Sequence, residues 1–401
     1  MPGMIETAQA ERDSDVLVLD PMRGRPCSIV HVLDPGLAGG LETVVHALAC
    51  GHAAAGHHVT VLTPSDTLAA RRFLDRFAGT AVHTECVAVH GRGYASERAA
   101  VRSALARRMP DVVHTHGLRS DVVDAGAARG LGLATITTVH GYTDATVKLR
   151  LYGLLQRGHL HRFDAVIAVS SPLARRLAPY VPGARLHVIP NGWVPEHAAA
   201  DRAIARSGLG VHDERMLIGW VGRLAREKAP DVAIAAFARV AQVAERMGVE
   251  LAVIGDGPER SRVEELARQL GIAPHVRFHG TRPDAPTLMT AFDALVLSSR
   301  REGTPMVLLE AMAVRTPIIA TRVGGVPDVL SEREALLVPR DDPRALGSAL
   351  LNVLLDRDGA LARAERAAEV LATRYDGARW LDRYTAHYRR LRQLTQRRRT
   401  C

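Results

Sequence analysis

The feature that most limits what this chain can become is an alternation of short apolar runs with longer segments of helical periodicity. Cys27 to Leu33, Gly56 to Leu62, Val82 to Val89, Asp111 to Gly117, Ala134 to Gly141, Asp164 to Ser171 and Leu186 to Ile189 each read as a strand closed by glycine, proline or a polar turn. Between them lie stretches such as Leu41 to Ala54 and Ser96 to Arg108, whose apolar residues return every three or four positions. The pattern stops at Pro190-Asn191-Gly192. The segment from Trp193 to Val211 then reads as loose and hinge-like. At Met216 the alternation restarts, with further strands at Leu251 to Ile254, Val276 to Gly280, Ala294 to Leu297, Pro317 to Ala320 and Leu336 to Val338. Such alternation makes parallel sheets with helices on both faces. The predicted class is α/β with two doubly wound, Rossmann-like halves. The predicted division is a tail over 1–25, halves over 26–192 and 193–376, and a terminal helical segment over 377–401.

Bulk properties narrow the function. A chain of 401 residues can bury two cores. It has no apolar run of about 18 residues, so no spanning helix is expected, and the polar tail lacks the apolar core of a signal peptide. Cys27, Cys50, Cys86 and Cys401 show no metal-type spacing and read as free thiols in a reducing, cytoplasmic setting. A net charge of +9 favours anionic partners. No nucleic-acid-binding pattern is present, so nucleotides or an anionic membrane surface are preferred over DNA or RNA. The positive charge is almost all arginine: Lys148 and Lys228 are the only lysines. An ammonium kept where the chain otherwise uses guanidinium suggests a specific need.

The stretch most suggestive of chemistry runs from Ser298 to Ala313. The strand Ala294 to Leu297 leads into a polar, glycine-containing turn, and Pro305 is expected as the first residue of a helix. Glu302 is then on a loop at a strand's carboxyl end and Glu310 about one turn into the helix, which is where open α/β sheets bind ligands. The amides of Met306 and Val307 would face an anion. Two carboxylates beside a phosphate cradle suit a ligand that is both polyol and diphosphate; a solvated loop acid and a dipole-favoured helix acid are the alternative. Gly39-Gly40, after the first strand, reads either as a phosphate approach or as a tight turn needing positive φ. Strands ending in His116-Gly117 and His140-Gly141 suggest a polar rim, with His140 at the site and His116 a structural hydrogen-bonder. The segment Asp144 to Arg162 carries Lys148, Arg150, Arg157, His159, His161 and Arg162 among leucines. It reads as a solvated helix face, or as a surface for an anionic membrane or acceptor.

Taken together, these motifs resemble the retaining glycosyltransferases of family 4, which have the GT-B fold. The resemblance spans about Cys27 to Leu394. It rests on Glu302 and Glu310 in an E-x7-E segment, joined by Gly39-Gly40, His140-Gly141, Val169-Ser170, Pro190-Asn191-Gly192, Gly222-Arg223 with Lys228, Gly255-Asp256-Gly257-Pro258 and Gly324-Gly325. It implies a cleft between the halves, with a terminal helix (Trp380 to Leu394) crossing back to the first. Arg223 and Lys228 would hold a donor diphosphate, with Thr304, Met306 and Val307 at the phosphate turn and Gly39 and Gly40 closing from the other half. Glu310 would meet the ribose, Glu302 and His140 the sugar, and Gly280 and Thr281 the base. The implied donor is a UDP-, GDP- or similar nucleotide-sugar, used without a metal or other cofactor. The implied acceptor is a sugar or lipid-linked hydroxyl compound of the cell envelope, met in the cytoplasm or on the membrane's cytoplasmic face. The chain departs from the family in having Thr304-Pro305 where an aromatic-glycine pair is common, and Asp328 where glutamate is usual; Asp328 is assigned no role. A nucleotide-sugar epimerase of the same fold and a non-catalytic nucleotide-sugar binder are the competing readings.

Overall fold

Branched and aliphatic residues in short runs, each flanked by turn-forming residues, are suited to fully buried parallel strands. The computed structural model describes residues 25–36, 39–87, 93–141, 147–195, 199–211 and 215–400. Among these, the runs form two sheets. The first contains β1 (Ser28–Leu33), β2 (His58–Thr63), β3 (His83–Cys86), β4 (Val112–His116), β5 (Ala134–Val139), β6 (Ala165–Ala168) and β7 (Leu186–Val188), in the order β3-β2-β1-β4-β5-β6-β7. The second contains β8 (Met216–Val221), β9 (Val249–Ile254), β10 (Val276–Gly280), β11 (Ala294–Leu297), β12 (Ile318–Thr321) and β13 (Leu336–Val338), in the order β10-β9-β8-β11-β12-β13. Every described pairing within the two sheets is parallel. Strand order reverses between β1 and β4 in one sheet and between β8 and β11 in the other, so each has a crevice at the carboxyl ends of those strands.

The halves are tied together by the helix Gly377–Thr400, longer than the predicted Trp380 to Leu394. Its buried residues Trp380, Tyr384, Tyr388, Leu391 and Thr395 recur every three or four positions and form one stripe. That stripe lies on the first sheet. Tyr388 Oη is 2.8 Å from His114 Nδ1, Tyr384 Oη is 3.1 Å from Thr138 Oγ1, and Thr395 Oγ1 both donates to Asp111 O and accepts from Ala134 N, each at 2.7 Å. Just before this helix, Trp193 N donates to Tyr375 O at 2.8 Å, so the two chain crossings run side by side.

Several expectations need correction. The described part of the segment from Trp193 to Val211 is not loose: Arg202–Gly208 is a helix, and Ala205, Leu209 and Val211 are buried in the core. After β8 the chain forms two helices, Pro230–Arg239 and Ala241–Met247, broken at Val240. Pro305 caps its helix from outside, in an extended conformation (ψ 118°), instead of being its first residue. The predicted tail lies outside the described residues except for Arg25, and so do Cys401 and the end of the expected strand Val82 to Val89.

Gly192 marks the tightest point of the crossing, since a Cβ there would sit 2.4 Å from Trp380 Cβ, an atom with no rotamer to escape into. Gly192→Ala is expected to destabilise the fold by about 1–3 kcal/mol through overpacking, seen as a lower melting temperature. An unchanged melting temperature would mean that the helix is not packed this way.

Candidate functional site

The carboxyl ends of the two sheets face a shared cavity of 2190 Å³, and of the residues given a donor- or sugar-binding role from sequence all but one line it. Gly39, Gly40 and His140 come from the first half; Arg223, Lys228, Thr281, Glu302, Thr304, Met306, Val307 and Glu310 come from the second. Gly280 is the exception. It closes β10 with its carbonyl accepting from Gly255 N at 2.7 Å and does not line the cavity.

The centre of the site is an ion pair. Lys228 Nζ lies 2.7 Å from Glu302 Oε1 and 2.9 Å from Oε2, and Ser299 Oγ donates to Oε1 at 2.6 Å. The side chain of Glu302 is 5% exposed and that of Lys228 29%, so the carboxylate is held from below and the ammonium meets the cavity. Lys228 ends a 3-10 turn, Arg226–Lys228, and the next residue, Ala229, sits in the left-handed region at φ 49°. Ser298 Oγ secures this turn by donating to Ala229 O at 2.8 Å and accepting from Trp220 Nε1 at 3.0 Å. Arg223 pairs with Glu227, and its side chain is half exposed on the cavity wall. The helix Met306–Ala313 points its amino end at the same space, with Glu310 one turn further in.

Backbone contacts of glycine bring the halves together here. A Cβ on Gly303 would lie 2.4 Å from His140 O, so only glycine lets the Glu302 loop rest on the histidine strand end of the other half. Gly324 has φ 53°, and a Cβ there would overlap Glu302 O at 1.8 Å, which fixes the Glu302 backbone from behind. On the first-half side, Gly39 is extended at φ −176°, so the positive-φ explanation of that pair does not hold at Gly39. Instead, the chain passes close to Glu42, whose Oε1 accepts from Gly36 N at 2.7 Å, and the Cβ position of Gly40 meets Met306 Cγ at 3.6 Å.

The roles of Glu42, Asn191, Asp328 and Asp121 went unread in the sequence. Glu42 braces the glycine loop, and an acid in the first turn after a glycine-rich strand end was its available signal. Asn191 Nδ2 donates to Thr304 O at 3.0 Å, and Thr304 Oγ1 donates to Val169 O, both across the two halves. Asp328, assigned no role, accepts from Ser171 N at 2.8 Å and so caps a helix of the opposite half. His116 lines the cavity and is bonded to His140, with Nδ1 and Nε2 3.3 Å apart. Beside it, the buried carboxylate of Asp121 accepts from Thr115, Thr137 and the cavity-lining Gln156.

Burial dominates the electrostatics of this region. It lowers His31 to about 3 and His140 to about 4, and depresses His114 and His116 well below the ordinary 6.5. Outside the cluster it lowers His52 to about 4 and His387 to about 3. It raises Asp121 to about 6 and pushes Asp124 well above the usual carboxylate range.

Cations and a helix amino end beside carboxylates, in a cleft between two doubly wound sheets, offer complementary charge to an anion and acceptors to hydroxyl groups. Comparison with known proteins gives the family. The model described as Glycosyltransferase Family 4 matches residues 38–197, and that described as Glycosyl transferases group 1 matches residues 215–356. The 2-deoxystreptamine N-acetyl-D-glucosaminyltransferase of Streptomyces fradiae is 33% identical over 302 residues, covering 70% of this chain and 71% of that one. A D-inositol 3-phosphate glycosyltransferase of a Nocardioides strain is 28% identical over 96% of this chain and 94% of its own. Among solved structures, HepE of Anabaena superimposes with a TM-score of 0.79 at 19% identity, covering 90% of this chain and 99% of that one. The chain belongs to the family 4 glycosyltransferases, and its fold is GT-B.

The histidine shifts predict the response to acid. A histidine whose folded-state pKa is depressed contributes stability that is complete above pH 6.5 and is lost as pH falls through the folded value. Asp121 and Asp124 act in the opposite sense, stabilising below about pH 4; Asp121 loses that contribution as pH rises through about 6, and Asp124 as pH rises through its own strongly raised value. Six depressed histidines outweigh two aspartates, so the melting temperature is expected to fall steeply between pH 6.5 and 4. A melting temperature that stays level across that interval would show that these imidazoles are not buried as neutral groups.

Proposed function

We propose that the protein transfers a sugar from a nucleoside-diphosphate donor to an acceptor hydroxyl with retention of anomeric configuration. The observation that carries this reading is the Lys228–Glu302 pair, set beside Arg223 in a cavity shared by both halves. Arg223, Lys228 and the amides of Met306 and Val307 hold the diphosphate and stabilise it as it leaves. Thr304 shapes the phosphate turn, and Glu310 accepts from the ribose hydroxyls. Thr281, with Gly280 behind it, flanks the base. Gly39 and Gly40 close from the opposite half, while Glu302 and His140 orient the sugar. Residues 26–192 are the acceptor-side domain, 193–376 the donor-side domain and 377–401 the returning helix.

The acceptor oxygen attacks the anomeric carbon on the face from which the diphosphate departs. The bond from that carbon to the phosphate oxygen breaks, and the acceptor's proton passes to the departing oxygen. Fixed cations supply the charge compensation, so the reaction is read as metal-independent. HepE was solved with UDP and glucose, and the relatives named above act on 2-deoxystreptamine and D-inositol 3-phosphate. These support a uridine- or similar nucleotide-sugar donor and a polar, hydroxyl-rich acceptor.

A second reading of the acceptor, as a lipid-linked envelope component met at the cytoplasmic face of the membrane, draws on the helix Val147–Leu160. It exposes Leu151, Leu154 and Leu155 at 55%, 62% and 42%, with Arg157 on the same helix. Among the described residues no helix is long and apolar enough to cross a membrane, so contact would be peripheral. Binding to anionic vesicles at low salt that weakens with added salt supports this second reading; no binding removes it.

Lys228→Ala and Arg223→Ala are each expected to lower turnover by about 100-fold or more, the scale of losing a preorganised charge stabiliser, and EDTA is expected to leave turnover unchanged. Full transfer activity in both variants would remove the diphosphate assignment.

A further inference from the structure

We propose that a chain of three imidazoles fixes the tautomer of His140, so that its Nδ1 meets bound substrate as an N–H donor, and that His31, remote from the cavity, is the residue that sets this polarity. The inference rests on the glycosyl-transfer reading only for what the donor acts upon.

The chain is continuous. His140 Nε2 lies 3.3 Å from His116 Nδ1, and His116 Nε2 lies 3.0 Å from His31 Nδ1. Among the described residues no carboxylate bonds any of the three, and burial keeps them neutral. A neutral imidazole carries one N–H and one lone pair. His116, bonded on both sides, must therefore donate one way and accept the other. The chain can be polarised inward, from His140 towards His31, or outward.

The far end decides between them. His31 Nε2 is buried and has no hydrogen-bond partner among the described residues. The next imidazole, His114, cannot accept from it, because its nitrogens are bonded to Tyr388 Oη at 2.8 Å and Thr138 Oγ1 at 2.9 Å. The Tyr388 ring is also too distant to act as a π acceptor, with its centroid 6.4 Å from that of His31. Inward polarisation would put a proton on His31 Nε2 and bury an orphaned N–H. Outward polarisation leaves only a bare lone pair there, which is the commoner and less costly defect. His31 Nδ1–H therefore donates to His116 Nε2, and His116 Nδ1–H donates to His140 Nε2. The remaining proton is on His140 Nδ1, the nitrogen not engaged in the chain, on a residue that lines the cavity.

Two consequences follow. His140 presents a donor to a sugar hydroxyl or a departing phosphate oxygen and cannot accept the acceptor's proton at Nδ1, in keeping with same-face attack assisted by the leaving group. The three buried histidines His31, His114 and His116 have ligand atoms within 4.8 Å of one another, but both nitrogens of His114 are committed to Tyr388 and Thr138, which disfavours a metal among them.

The test is the nitrogen spectrum of the ligand-free protein labelled with 15N-histidine, in which two-bond couplings separate the tautomers and single His→Gln variants assign the signals. His140 and His116 are both expected as Nδ1–H forms; an Nε2–H form at His140 overturns the proposal. His31→Phe removes the fixed donor and is expected to reduce kcat by about tenfold, the scale of one hydrogen bond, with the Kd for the bare nucleoside diphosphate unchanged. His31→Asn places an amide N–H near the position of Nδ1 and is expected to restore most of that loss. Wild-type turnover in His31→Phe, or no rescue by His31→Asn, contradicts it. Should His31→Phe fail to fold, the wild-type spectrum still decides. A wild-type protein inactive on every nucleotide-sugar would sink the glycosyl-transfer reading and leave the tautomer result standing.

Discussion

One ion pair holds the site together, and much of the surrounding structure serves to place it. A carboxylate as buried as Glu302 is costly to desolvate unless its oxygens are filled. Lys228 reaches both of them and Ser299 reaches one. Removing either partner strands the other; under the proposed function, an incoming diphosphate would offer the ammonium a second set of anionic oxygens without taking it from the cavity wall. Lys228 is thus aimed before any ligand arrives. The left-handed Ala229 and the Ser298 hydroxyl are the local features that aim it.

The second constraint is the seam between the halves. Gly303 rests on the carbonyl of His140, Thr304 bonds to Val169 and Asn191, and Asp328 caps the helix beginning at Ser171. Each contact joins a loop after β11 or β12 to a loop from the first half or the crossing segment. The geometry at Glu302 and the geometry at His140 are therefore not independent, and a shift of one half alters both. The helix Gly377–Thr400 anchors the chain's end on the first sheet and limits how the halves can move apart.

How legible this was in sequence depended on distance along the chain. Strand–helix alternation is local, so both sheets and nearly all strand positions could be read from it. The second-half site was legible for the same reason, because Arg223 with Lys228 and Glu302 with Glu310 each lie within one loop and its helix. The scarcity of lysine added a signal that periodicity lacks. What could not be read joins residues far apart. Asp328 and Ser171 are 157 positions apart, and His31 and His116 are 85 apart; neither pair leaves a mark in spacing. The helix Arg202–Gly208 was missed because it buries only Ala205 and is flanked by turn residues, so its apolar stripe is too thin to detect. The break at Val240 carries neither glycine nor proline to announce it.

The most direct measurement uses the fact that the chain has only two lysines, Lys148 and Lys228. Reductive methylation with 13C-formaldehyde leaves both side chains cationic and gives each a separate methyl resonance, assigned with Lys228→Arg. If the cleft grips a diphosphate through Lys228, titration with a nucleoside diphosphate will move the Lys228 signal to saturation and leave that of Lys148 in place. Movement of Lys148 alone, or of neither, would contradict a donor site built on the Lys228–Glu302 pair.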